Sequence, residues 1–488
     1  MKFVYWLGFI CCLLISGQIS ANPKLESSIK LPKHIVGSVC VIRHQDKMLM
    51  LSEVITQKYS LPGGYIDDGN TAPEAAVREV LEETGVDVEV VELLQYRSRA
   101  AVYACVATSP IPVSNFRDHN GFMIVASWFS KHFATEVERV YLLDPRQLDI
   151  SNYRYPEDVN LLPKWLARTP ESQIQYYDSL THQLSMLHRI ELPFVINFQA
   201  VTENWPHWLQ AGFDGVMFIA NQPGELWVLL CLGLLVAVSC RTSVLLECLL
   251  FSLVMLVASS TLKYWFASPR PFFVLPELQR IEAYGFGFPS SHTMTATMVL
   301  GGAWYGLNRL TKGRYKRVLM ASMLMLILAQ GMVRVWYGVQ FISDTVLSIM
   351  LGLVIVSAWA VWREMNPDSL QRCMTSKTFW LCMTFAVGVG ASYTLDPLHA
   401  YAFSAMLGVM VAMETAVRFD QPAPETLKGR ILALLMLGGG AAVIWCGTEE
   451  LAAVQTVSLI VLGINAFGCF LMSLWFVAGA SWVRGKCR

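Results

Sequence analysis

Charge is what this sequence has least of. Its 488 residues carry 37 Lys and Arg against 37 Asp and Glu, 15% in all, for a formal net charge of zero. No bulk basic field exists to hold a nucleic acid polymer. Histidine is scarcer still, at nine residues, so few positions can supply an imidazole. The twelve cysteines form no framework. Cys11 and Cys12 lie in the N-terminal segment with no lipobox before them, so lipidation is not expected. Most of the others sit in apolar stretches, where cysteine behaves as a small hydrophobe. Cys40 and Cys105 stand apart, in the part that reads as soluble. An oxidising compartment would permit a disulfide between them, but two buried thiols are the expected state. No internal repeat is strong enough to use.

Apolar residues are plentiful, at 54%, but unevenly spread. Up to about residue 205 the chain reads as an ordinary soluble domain. Beyond about residue 225 it holds nine apolar runs, at 225–240, 243–262, 292–310, 318–333, 342–361, 378–395, 398–417, 431–446 and 454–480, most near the ~20 residues that cross a bilayer. Under strict alternation Arg241, Lys312, Arg314, Lys316, Arg317, Arg363, Arg372, Lys428, Arg430, Arg484, Lys486 and Arg488 fall on one side, and Glu449 and Glu450 on the other. Positive charge marks the cytoplasmic side. Lys2, the apolar run Phe3–Ile15 and the small residues up to Ala21 predict a secretory signal peptide at 1–21, or an uncleaved anchor. Both arguments put the soluble part outside the cytoplasm, on the periplasmic face of the inner (plasma) membrane.

Within the soluble part, residues 34–51 alternate as a strand pair around Gln45-Asp46-Lys47. Strand-like runs follow at 102–107 and 123–129. A helix is predicted over 73–83, with Asn70 and Thr71 where an N-cap is wanted, Pro73 in the first turn and Gly85 as the stop. Mixed strands and helices indicate an α/β or α+β domain. From 171 to 208, Ile174, Tyr177, Leu180, Leu184 and Leu187 share a face at helical spacing, which predicts an amphipathic helix on the membrane surface or on the domain itself.

The segment Leu61-Pro62-Gly63-Gly64 through Val86 matches G-x5-E-x7-R-E-U-x-E-E-x-G-U, with Gly64 first and Arg78, Glu79, Val80, Glu82, Glu83, Gly85 and Val86 in the later places. Glu79, Glu82 and Glu83 are spaced to share one helix face. Three carboxylates there repel unless a divalent cation lies between them, and hard oxygen ligands suit Mg²⁺ or Mn²⁺. Gly63 and Gly64 allow the tight loop ahead of the helix. This pattern resembles the Nudix hydrolases. The resemblance implies metal-dependent cleavage of a nucleoside diphosphate linked to another group, with Glu79, Glu82 and Glu83 as metal and catalytic residues and Gly63, Gly64, Arg78 and Gly85 in support. Asn70 stands where the family has its first glutamate, which commonly supports the arginine and the metal shell. Glu136 and Glu138 are candidates for a further acidic ligand, or ordinary strand residues.

Residues 263–344 resemble the three-part signature of the type 2 phosphatidic acid phosphatases. Lys263, six residues and Arg270-Pro271 match K-x6-R-P; Pro289-Ser290-Ser291-His292 matches P-S-G-H with Ser for Gly. In the third part Arg334 and Asp344 are in place, Val333 replaces a serine, and Gln340 stands where the family has its nucleophilic histidine. Charges beside a bilayer are costly and usually functional. Lys263, Arg270 and Arg334, with Ser290, are the expected phosphate cradle. The resemblance makes His292 the acid for the leaving oxygen and Asp344 the residue that orients the nucleophile. An amide cannot attack phosphorus. Besides His292, only His207 and His399 are read as lying in or near the membrane part, with Asp396 three residues before His399.

The expected layout is therefore a multidomain chain: signal segment 1–21, an α/β Nudix domain at 34–168, an amphipathic linker at 169–208, an all-α phosphatase-like membrane domain at 209–365 and a four-span region at 375–488. One reading is a cell-envelope hydrolase acting on a phosphorylated lipid or a nucleoside-diphosphate-linked small molecule, with an impaired bundle. The rival is a membrane protein that binds lipid phosphates through a degenerate bundle. A transporter built from all nine spans ranks last, because the final four look free of buried charge.

Overall fold

The computed structural model describes residues 31–394, 396–418 and 420–487. The signal segment expected at 1–21 lies outside them. The head is built from β1 (Gly37–His44), β2 (Lys47–Glu53), β3 (Tyr59–Ser60), β4 (Gly63–Tyr65), α1 (Ala72–Thr84), β5 (Val88–Arg97), β6 (Ala100–Ala107), β7 (Ile111–Arg117), β8 (Met123–Val125), β9 (Val137–Leu143), α2 (Leu162–Arg168) and β10 (Ile174–Tyr177). The strand order is β10-β7-β8-β9-β2-β1-β6-β5, with β3 added to β2 and β4 to β1. The β1–β6 pair is parallel and lies at the heart of the sheet. Successive side chains point to opposite faces of a strand. Cys40, Ile42, Leu49 and Leu51 therefore join one core with the α1 residues Ala76 and Val80, while Val41, Met48 and Met50 join a second with Trp165 of α2.

That parallel register corrects the expectation of two free thiols. Cys40 and Cys105 sit on neighbouring strands on the same face, with Cα atoms 5.7 Å apart, and form a disulfide. Separations near 5.5–6 Å are the commonest for such bonds.

The linker reading is also corrected. Residues 174–177 are not helical: β10 pairs with β7, because Ile174 and its neighbours complete the sheet edge. The amphipathic helix exists further on, as α3 (Met186–Ala200). Leu192 and Val195 are buried on one side, and Met186, Leu187, Ile190 and Phe194 are exposed on the other. An apolar face left open beside a bundle is what an interfacial helix presents.

The bundle then comprises α4 (His207–Asn221), α5 (Leu226–Ser239), α6 (Thr242–Phe266), α7 (Pro271–Val274), α8 (Ser291–Leu310), α9 (Lys316–Trp336), α10 (Ile342–Met365), α11 (Pro367–Thr375), α12 (Lys377–Thr394), α13 (Pro397–Arg418), α14 (Leu427–Ala453), α15 (Ser458–Leu474) and α16 (Ala480–Lys486). Helices occupy all nine apolar runs. Among the described residues six helices are long and apolar enough to cross a membrane, or seven if α4 and α5, bent by 52°, make one broken span. Of the nine expected spans, α8 and α12 fall short, and α5, at 14 residues, counts only when joined to α4. In α8 the cause is visible: Thr293, Thr295 and Thr297 are buried among helices, which lowers its hydropathy. The expectation that the last four spans lack buried charge is wrong. Arg484 is fully buried and bonds Asp420, and Asp396 and His399 are buried against Ser260 and Thr261.

The head rests on one end of the bundle. Arg139 donates to Gln279 (2.9 Å), Lys58 to the Ala453 carbonyl (3.0 Å) and Arg154 to the Thr456 carbonyl (2.7 Å). Trp128 and Phe133 of the head share one apolar cluster with Phe272, Phe273 and Phe286 of the bundle.

Candidate functional sites

Helix α1 is fixed at both ends. Thr71, rather than Asn70, is the N-cap, and it forms a capping box with Glu74, an arrangement that satisfies two backbone donors reciprocally. Gly85 closes the helix in the left-handed region at φ 73°. Between them Glu79 and Glu83 are buried and Glu82 is partly exposed. Gly63 is demanded by the backbone: its φ is 154° and a Cβ there would lie 2.3 Å from the Ser38 carbonyl oxygen, while at Gly64 a Cβ would meet only the movable Glu79 carboxyl group, 2.5 Å away.

The three carboxylates do not point to a single place. Ligand atoms of Glu79, Glu82 and His132 lie within 4.8 Å of one another. Glu83 instead turns inward and accepts the Gly63 N–H at 2.8 Å. Burial pushes the Glu83 carboxyl well above the usual range, and burial also raises Glu79. Burial acts the same way on Glu82, but the Lys131 ammonium, 2.5 Å away, and the His132 and Arg78 charges outweigh it, and its net shift is downward. Arg78 reaches Glu79 (2.9 Å) and Glu82 (3.1 Å).

Sequence reasoning missed two residues here. Arg78 also pairs with Asp67 at 3.1 Å, so an acid three positions before Asn70 takes up the contact expected of the residue at position 70. Asn70 itself sends its backbone N–H to the Asp67 carbonyl. The charge of Asp67 was the available signal. His132 left none, because its approach depends on the fold. Its Nε2 lies 3.5 Å from Glu82 and its Nδ1 3.6 Å from Glu136. Of the two acids suggested for a later ligand, Glu136 therefore reaches this neighbourhood. Glu138 does not join the cluster: it accepts from Ser52 and lines a cavity with Trp128 and Phe273 against the bundle.

The second cluster lies in the bundle at its head-side end. The Lys263 Nζ donates to the Phe286 carbonyl at 2.9 Å. Arg270 is buried and donates to the carbonyls of Gly285 (2.8 Å), Val339 (2.7 Å) and Tyr284 (2.9 Å). It is a strut between two loops, with two of the five N–H donors of a guanidinium still free of these bonds. Ser290 caps α8, its Oγ accepting from Thr293, while its N–H donates to Ser348. His292 Nε2 lies 3.7 Å from Glu225. Arg334 makes a long bond to Asn221 (3.4 Å). Its Nε, both amide atoms of Gln330 and the Oε1 of Gln340 are buried without a hydrogen-bond partner among the described residues. Gln330 and Arg334 lie one helical turn apart on α9. Orphaned buried polar atoms are rare in folded proteins and call for a ligand or water; a phosphate oxygen would accept from Arg334 Nε and Gln330 Nε2, while the two amide oxygens need a donor such as water. Asp344 caps α10, accepting from the Phe341 N–H at 3.2 Å.

One segment joins the two clusters. Lys131 and His132 touch Glu82, while the next residues, Phe133 and Ala134, touch the bundle. Phe133 packs edge-on to Phe273 and Phe286, and the Ala134 carbonyl accepts from Tyr264 at 2.8 Å. Phe286 is the residue whose carbonyl holds Lys263.

Comparison with known proteins finds a family for each of the two parts of the chain. A family model described as NUDIX domain matches residues 32–157, and one described as PAP2 superfamily matches 227–368. The chain joins a NUDIX domain to a PAP2 superfamily domain. Over 164 residues, 33% of this chain and 94% of the relative, it is 25% identical to Phosphatase NudJ of Escherichia coli (strain K12), and equally to that of Shigella flexneri. Among solved structures, an ADP-ribose pyrophosphatase from Streptococcus suis 89-1591 is 19% identical with a TM-score of 0.20, covering 29% of this chain and 97% of that one. A UDP-X diphosphatase is 17% identical with a TM-score of 0.20, covering 34% and 75%. The NUDIX head makes the chain a hydrolase of phosphoric anhydrides, and the PAP2 bundle belongs to a family of phosphatases.

Proposed function

We propose that the protein is a two-site hydrolase of the cell envelope: the NUDIX head cleaves a pyrophosphate linkage with Mg²⁺ or Mn²⁺, and the PAP2 bundle receives a phosphorylated lipid or product. The observation that carries this is the 131–134 segment, which touches the head's acid cluster with one pair of residues and the bundle's cradle loop with the next. Glu79, Glu82 and His132 would hold the cation, and Glu136 lies beside them. The cation would polarise the anhydride and make its bound water more acidic. Glu83, with one oxygen taken by Gly63, keeps the other to accept a proton. Arg78 holds Glu79 and Glu82 in register, with Asp67 behind it. In the bundle, Lys263, Arg270 and Arg334 would bind the phosphoryl oxygens, and His292 would protonate the leaving oxygen.

We place both sites on the periplasmic face of the inner membrane. The basic residues Lys312, Arg314, Lys316 and Arg317 lie between α8 and the body of α9, at the end away from the head, and the Cys40–Cys105 disulfide fits an oxidising compartment. A periplasm-active reporter fused after Asp144 should work and one fused after Lys312 should not; the reverse pattern would overturn the sidedness. The substrate reading is tested with purified full-length protein on soluble nucleoside-diphosphate derivatives and on lipid pyrophosphates, with Mg²⁺ and with chelator. Cleavage that ignores the chelator would remove the metal from the account.

A second reading rests on Gln340: a bundle without an attacking group binds lipid phosphate and does not turn it over. Vanadate binding without phosphate release from any lipid phosphate is its signature.

A further inference from the structure

Asp344 is two per cent exposed and faces no histidine from its own motif, since position 340 is glutamine. It does face one from elsewhere. His188, on α3 and outside the matched PAP2 region, places its Nε2 3.7 Å from Asp344 Oδ1. The sequence reading passed over this residue because it fell in the linker, whose helix was placed too early.

Three further contacts show that the approach is built. The His188 ring stacks on Phe341, with centroids 4.1 Å apart and planes within 7°. One turn along the same face of α3, Glu191 accepts from the Ser343 N–H (3.2 Å) and Oγ (3.0 Å) at the start of α10. At the N-terminus of α3 the Ser185 side chain accepts the His188 N–H, fixing the first turn. Together these clamp α3 to the first turn of α10, where Asp344 sits. The Nδ1 of His188 is buried and finds no hydrogen-bond partner among the described residues. The other oxygen of Asp344 faces Gly287, where a Cβ would come within 3.1 Å, just ahead of the loop that carries Ser290 and His292.

We propose that His188 replaces the missing histidine and is the nucleophile of the PAP2 site. This rests on the reading of the bundle as a phosphatase. Asp344 Oδ1, 3.7 Å from Nε2, favours the tautomer with its proton on Nε2 and the lone pair on Nδ1. That lone pair forms the N–P bond as the ester P–O bond breaks, and the leaving oxygen takes its proton from His292. Water then attacks the phosphoimidazole, giving up a proton to His292, and the N–P bond breaks to return the Nδ1 lone pair and release phosphate. The substrate class is a phosphomonoester at the membrane surface, where the open face of α3 lies.

The experiment uses full-length protein in detergent, with the head silenced by Glu82→Gln in every sample and short-chain phosphatidic acid as substrate. Phosphate release, acid-labile phosphohistidine and vanadate binding are measured. The parent should turn over and accumulate label. His188→Gln keeps a hydrogen-bond donor toward Asp344 but has no attacking nitrogen. It should lose at least about 100-fold in turnover, together with the label, while still binding vanadate. Gln340→His added to it should restore both, because Asp344 can orient a histidine at either place. Turnover and label that survive in both His188→Gln and His188→Ala would overturn the assignment. A parent that binds vanadate but releases no phosphate would overturn the phosphatase reading itself, and this inference with it.

Discussion

The head and the bundle meet the same problem with opposite sign. In the head, carboxylates crowd onto α1 and are balanced by Arg78 and Lys131. In the bundle, Lys263, Arg270 and Arg334 gather at one end and are held by carbonyls and an asparagine. One surplus suits a cation, the other an anion. The head departs from its family's pattern at Asn70 and the bundle at Ser291, Val333 and Gln340, and the departures at Asn70 and Gln340 are each met by a neighbour. Asp67 stands in for the acid missing at 70, three residues away in the same loop. His188 lies beside Asp344, 152 residues before Gln340 in the chain. Repair within one loop can be read along the sequence, whereas repair across helices cannot.

The largest test of this contrast is removal of the head's charge. Glu82→Gln or Glu83→Gln should lower pyrophosphate cleavage by about 100-fold or more, as expected when charge stabilisation is lost. Full activity in both variants would end the metal assignment. Next comes the repair itself. Asp67→Asn should lower head activity by about 10-fold or more, the scale of a lost supporting contact. Asn70→Glu should recover part of it, and alone should raise activity or leave it unchanged. A marked loss from Asn70→Glu alone would give the asparagine a role of its own.

The disulfide separates the two regions differently. Cys40→Ser with Cys105→Ser should destabilise the head by about 2–5 kcal/mol, read as a lower melting temperature. Reductant should have the same effect on the wild type and none on the double variant, since the cysteines described in the bundle are free. An unchanged melting temperature would mean the bond contributes nothing.

The smallest effect is on pH. Burial raises Glu83 and Glu79 above the ordinary carboxylate range. Over the window from about 4.3 upward, the folded head holds more protons than the unfolded chain. Metal-free stability therefore falls as pH rises through that window. A divalent cation binds the deprotonated form, so its stabilising effect grows over the same range. Melting curves with chelator and with Mg²⁺ should diverge by a few degrees between about pH 5 and pH 8. Parallel curves would show that Glu79 and Glu83 are not linked to cation binding.

Much of this protein was legible in the chain alone. Helix α1, its cap at Asn70 or Thr71 and its stop at Gly85 depend on residues a few places apart, where helical geometry leaves little choice, whereas the turn of Glu83 away from Glu79 and Glu82 was not legible. The apolar runs were equally plain, because a bilayer imposes their length. Tertiary structure decided the rest. Parallel pairing of β1 with β6 brought Cys40 to Cys105 across 65 residues. Pairing of β10 with β7 took residues 174–177 out of the expected helix, because a free sheet edge outweighs a short apolar periodicity. The same held for His132 beside Glu82 and His188 beside Asp344. Each is an ordinary histidine in its local sequence, and only the packing of α1 against the 127–136 segment, and of α3 against α10, gives it a charged partner.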